Sequence, residues 1–210
     1  MKLMSKKIKG FTLVELLVVI AIIALLVAIV FPAINTALLR GRVTATSVNG
    51  RNIHQAIIGG ELADIYVGRG TIFPGDGRYS TSTEFFTMLV TGRVLNVAWS
   101  FFAPPGIPPG RDTFTAENNG WCVADDSENL RDTAPFLFTR NLNITSLDTP
   151  SIPGDLTGNP FQDRALAFVT RGGAAFALVG DDVSDQDRFD DLFVPRDLDG
   201  SDLGNAVLRP

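Results

Sequence analysis

Residues 1–32 read MKLMSKKIKGFTLVELLVVIAIIALLVAIVFP. Apolar residues run without a break from Leu16 to Phe31, and Glu15 is the single charge between Phe11 and Pro32. At about 1.5 Å per residue, a helix over this stretch is roughly 30 Å long, matching a bilayer's hydrocarbon core. A single membrane pass follows. The basic head Lys2–Lys9 places the N-terminus in the cytoplasm and the rest of the chain on the other side. A secretory signal peptide would share the basic start but has a shorter apolar core and a small-residue cleavage site. A plain anchor accounts for the length but not for Glu15, because a carboxylate deep in lipid costs about 2.5–3.5 kcal/mol.

The stretch Lys9-Gly-Phe-Thr-Leu-Val-Glu-Leu16 accounts for both features. It resembles the N-terminal signal of type IV prepilins and of type II secretion pseudopilins. The resemblance implies that a prepilin peptidase cuts after Gly10 and methylates the new N-terminal Phe11. It places Glu15 as the fifth residue of the processed chain and matches Pro32 to a proline common in the family helix. Processing removes every lysine of the chain and frees an amine on Phe11. Both that amine and the Glu15 carboxylate are costly in lipid. Pairing Glu15 of one subunit with Phe11 of its neighbour lowers both costs and sets the axial register. The alternative for Glu15 is that it reaches to the membrane interface.

The remaining composition bounds the function. The chain has 210 residues and a net charge of −5. From residue 11 onward, 14 arginines face 23 acids, a balance of 14 − 23 = −9, which argues against nucleic acid as a partner. Cys122 and His54 are the only residues of their types, so zinc-ribbon and multi-histidine metal sites are excluded by count. Serine and threonine have one histidine to draw on, and no glycine-rich stretch has a phosphate-loop setting. The expectation is a structural protein rather than an enzyme.

Beyond Pro32 the pattern becomes amphipathic. Ile34, Ala37, Leu38, Gly41, Ala45 and Val48 recur at helical spacing, and Leu39, Val43, Ile53 and Ile57 fall on a neighbouring face. Such a helix needs two partners, its own globular sheet and the helices of other subunits. It is expected to end near Gly59-Gly60, with His54 as a polar residue at its surface. Residues 61–80 read as loop. Thr81–Glu84 fits a capping box for a short helix ended by Gly92. Val94–Phe102 reads as β-prone, and residues 104–110 as a proline-rich surface loop. Pro135–Arg140, Ala165–Arg171 and Ala174–Val179 read as strands, the last two joined at Gly172-Gly173 as by a two-residue hairpin turn. Cys122 reads as a small buried side chain. The expected fold is α+β, one long N-terminal helix packed on a small antiparallel sheet as in pilins. Its parts are a leader (1–10), a membrane and filament-core half-helix (11–32), an amphipathic half-helix (33–60) and a head (61–210).

Nine aspartates lie between Asp181 and Asp202. The segment after Val179 resembles the C-terminal end of major pseudopilins, where a loop binds calcium. The resemblance makes Asp181, Asp182, Asp190 and Asp191 the candidate calcium ligands; a solvated acidic surface is the other reading. The reading as a whole is a pilin-like filament subunit, specifically a type II secretion pseudopilin. Its partners are further copies of itself, the prepilin peptidase, an inner-membrane assembly platform and the lipid bilayer. Its location is the inner membrane with a periplasmic body, or an extracellular pilus. The alternative is a single-pass anchored domain that binds a ligand outside the cytoplasm and never polymerises.

Overall fold

The computed structural model describes residues 11–66, 73–75, 77–125, 131–147, 150–193 and 206–210. Helix α1 spans Leu13–Tyr66 and passes through Pro32. The chain divides into two compact units, one up to Leu39 and the other from Arg40 to Pro210. In the first, residues 11–38 are all exposed. This stretch of α1 is long and apolar enough to cross a membrane.

The second unit is an α+β body. Strands β1 (Trp121–Ala124), β2 (Pro135–Thr139), β3 (Ala165–Thr170), β4 (Ala175–Val179) and β5 (Val207–Leu208) form one antiparallel sheet in the order β4-β3-β2-β1-β5. Both faces are covered, so strand residues are apolar in both directions and the alternation of a half-exposed sheet is missing. On one face Trp121, Val123 and Val169 pack with Ile53 and Ile57 of α1. On the other, Cys122, Phe138, Leu166 and Phe168 pack with Phe189 and Phe193 of helix α3 (Gln186–Phe193). Phe136 and Leu137 both join the α1 side, which strict alternation forbids. A register shift between Pro135 and Leu137 allows it.

Gly50 sets how closely the helix approaches. A Cβ there would lie 2.7 Å from Trp121 and 2.9 Å from Val169. The Asn49 side-chain amide donates to the Phe101 carbonyl at 2.7 Å, tying the helix to the segment Trp99–Phe102. His54 departs from the expected surface position. It is 5% exposed, lies edge-on to Phe136, and its Nε2 is 2.7 Å from the Arg171 carbonyl. A helical histidine next to a strand end gains a main-chain partner and need not face water.

Helix α2 (Ser82–Thr91) starts as its capping box predicts. Thr81 Oγ1 accepts from the Glu84 N–H at 3.1 Å, while the Glu84 carboxylate accepts from the Ser80 N–H at 2.8 Å, one residue earlier than in the usual box. Four expectations are corrected. Helix α1 continues past Gly59-Gly60 to Tyr66, which overturns the loop reading for the start of residues 61–80; two glycines weaken a helix but do not end it without a capping geometry. Residues 67–72 lie outside the described set. Val94–Phe102 is not a strand: Trp99–Phe102 forms a 3-10 helix, with Leu95 and Phe102 buried against α2. The β3–β4 connection is a three-residue loop, Arg171–Gly173, since Thr170 N–H donates to the Ala174 carbonyl at 2.9 Å. Gly173 has φ +86°, and a Cβ there would press on the His54 ring at 3.0 Å, so glycine is required twice over. Gly180–Val183 and Gln186–Phe193 are helical where a loop is expected.

Candidate functional site

The N-terminal features lie on the exposed start of α1. Gly10 is outside the described residues. Phe11 is exposed, and Thr12 caps the helix. Thr12 Oγ1 accepts from the Glu15 N–H at 3.2 Å. The Glu15 carboxylate in turn accepts from both the Thr12 N–H and the Thr12 hydroxyl at 2.8 Å. Glu15 is therefore held by its own chain. Thr12-Leu-Val-Glu15 satisfies the capping-box pattern ahead of an apolar run, so this role of Thr12 was open to inference from sequence. Within α1, the Pro32 carbonyl accepts from the Thr36 hydroxyl at 3.2 Å. Around this proline, Leu26, Val27, Val30, Phe31 and Ile34 form an apolar notch of about 230 Å³.

Along the body's part of α1, Val43, Ile53 and Ile57 are fully buried, with Thr46, Ser47 and Gly50 between them. Gly41, Ala45 and Val48 stay exposed, as do Arg40, Arg42 and Arg51. The helix thus keeps a small-residue and apolar strip that its own sheet does not cover. It matches part of the first of the two faces read from the sequence spacing.

The four aspartates suggested for calcium do not make a donor cage. Asp181 and Asp182 sit in the 3-10 helix Gly180–Val183, whereas Asp190 and Asp191 sit on α3. Asp182 is paired with Arg188 Nε at 2.7 Å, and Asp190 accepts from the Gln186 side-chain amide at 2.8 Å. Asp185 accepts from the Arg188 N–H at 3.1 Å and helps start α3. Among the described residues no three His, Cys, Asp or Glu side chains group to hold a metal. Calcium takes six to eight oxygens around one point, and the described carboxylates are not drawn together in that way. Asp197, Asp199 and Asp202 lie outside the described residues.

Cys122 is fully buried, and burial pushes its thiol pKa up to about 12, which makes it a poor nucleophile. A cleft of about 610 Å³ opens at one end of the sheet between Arg140 and Arg209, a pair that sequence reasoning left unremarked.

The family description "prokaryotic N-terminal methylation motif" matches residues 5–31. No curated protein and no solved structure matches the chain. The match covers Gly10, Phe11, Glu15 and the whole apolar run Leu16–Phe31. It supports a type IV pilin-like precursor signal, the kind that a prepilin peptidase processes. The α+β body with its long N-terminal helix fits a pilin-like fold.

Proposed function

We propose that this chain is the structural subunit of a type IV pilin-like filament, and within that class a type II secretion pseudopilin. The observation that carries the reading is the methylation motif at residues 5–31 leading into a helix with an uncovered apolar strip. Cleavage after Gly10 and methylation of Phe11 would leave a lysine-free subunit anchored in the inner membrane with its body in the periplasm. Assembly would bring α1 helices together and shield their apolar surface. The neighbour's Phe11 amine would then compete with Thr12 for the Glu15 carboxylate.

The test is mass spectrometry of protein extracted from membranes of cells holding the peptidase. The expected chain begins at methylated Phe11, and Gly10→Val leaves it full length. An intact Met1 in the unmutated protein overturns the assignment. The second reading, an anchored domain that never polymerises, is favoured by one observation: Glu15 already has its carboxylate satisfied by Thr12. Correct processing without any filament would support it.

A further inference from the structure

Arg140 and Arg209 stand on either side of the start of β1. Arg140 follows Thr139, which pairs with Trp121, and Arg209 follows Leu208, which pairs with Val123. The topology therefore brings two guanidiniums to one end of the sheet, and both line the 610 Å³ cleft. Its other walls include Pro108, Glu117, Thr157 and Asn159.

The Arg140 guanidinium is fixed by main-chain carbonyls. Its Nη1 donates to Ala116 at 2.7 Å and to Asn119 at 3.0 Å. Arg209 Nη1 donates to the Asn143 side-chain oxygen. Neither arginine has a carboxylate within 4.0 Å among the described residues, and their remaining N–H groups have no partner there. Arg188 shows the contrast, because it closes on Asp182 at 2.7 Å. Burial lowers the Arg140 pKa; the charge of Arg209 adds to the effect, while Cys122 and Glu117 oppose it. Two like charges in a partly desolvated cleft repel each other unless an anion lies between them. The body has an excess of acids, yet they are not placed here. Glu117, which is exposed, is the one acidic side chain among the lining residues.

We propose that this cleft binds a compact oxyanion, a phosphate or carboxylate group of a small molecule, clamped between the Arg140 and Arg209 guanidiniums. The planar fork of each arginine matches two oxygens of such a group, and the side chains of Thr157 and Asn159 supply further polar contacts at the wall. The volume suits a small ligand rather than a folded partner. Glu117 tunes the site by competing with the ligand for Arg140.

The experiment is calorimetric titration of the full-length protein in a neutral detergent, with inorganic phosphate in one arm and citrate in the other. Sodium chloride at matched ionic strength is the control. At least one oxyanion should bind with a Kd on the order of 1 mM or tighter. Removing one charge-assisted contact with Arg209→Gln should weaken it by about tenfold or more, while Glu117→Gln should tighten it by about twofold or more. Arg140→Lys keeps the charge but loses the fork and its bonds to the Ala116 and Asn119 carbonyls, and should weaken binding while lowering the melting midpoint. Heat from chloride equal to that from the oxyanions overturns the proposal. So does an absence of binding at about 10 mM, or a Kd that neither Arg209→Gln nor Glu117→Gln moves. Among the described residues the Arg209 side chain bonds only the Asn143 side chain, so the melting midpoint of Arg209→Gln is read beside its Kd to separate binding from folding.

Discussion

From Leu13 to Leu38, α1 exposes every residue, whereas from Val43 to Ile57 it alternates between burial and exposure with the helical period. The two stretches belong to one continuous helix, yet different surroundings shape them. The first has no preferred face because lipid and neighbouring helices surround it on all sides in the proposed assembly. The second has a sheet on one side, so its buried positions follow the contacts of Trp121 and Val169. The lesson is that aperiodic hydrophobicity marks a helix that must be enclosed from all directions, and periodic hydrophobicity one with a single fixed neighbour.

Substitutions in the two stretches should therefore fail in different assays. Glu15→Val is expected to cut filament yield by at least about tenfold at equal membrane levels, since the neighbour's amine loses its partner. It should leave the body's melting midpoint unchanged, and unaltered filament yield would reject the pairing. Gly50→Val does the reverse. Its side chain meets the rigid Trp121 ring, so the body should lose about 1–3 kcal/mol in denaturant unfolding, with membrane insertion intact. A neutral result would show that helix and sheet separate easily.

Within the body, Cys122 gives a pH response. Folding holds the Cys122 thiol protonated up to about 12, whereas the unfolded thiol titrates at its ordinary value of 9.0. Between those values the unfolded state binds fewer protons, so stability falls as pH rises. The parent should show a steeper loss than Cys122→Ala across that window, and equal slopes would count against the burial. The smallest stability effect is expected at Val48, which is 52% exposed. Val48→Ser should change unfolding by no more than about 0.5 kcal/mol, yet lower filament yield if the strip meets another subunit.

Much of the body could be read from local pattern. Strands β2 to β4, the cap of α2 and the two faces of α1 each carry a signal within a few residues. β1 and β5 do not. They are short, four and two residues, so too few positions carry a pattern. The stretch Val94–Phe102 fails for the opposite reason: β-prone residues form a strand only where a ladder partner is present, and here Leu95 and Phe102 bury against α2 instead. His54 became a buried residue through Arg171, 117 positions away, which no local window can register. The cleft has the same origin, since Arg140 and Arg209 meet only through the pairing of β1 with both neighbours. The cap of Glu15 by Thr12 was written in four consecutive residues and needed only the pattern already applied at Thr81.

Cys122 has a practical consequence as the chain's only cysteine. Sealed in the sheet and held as a thiol, it should stay silent toward maleimides and mild oxidants while the body is folded. The native chain is thus a blank background for introduced cysteines. A new one at Val48 would report on its surroundings alone, and its disulfide to a second copy would record which helices touch in the assembled state.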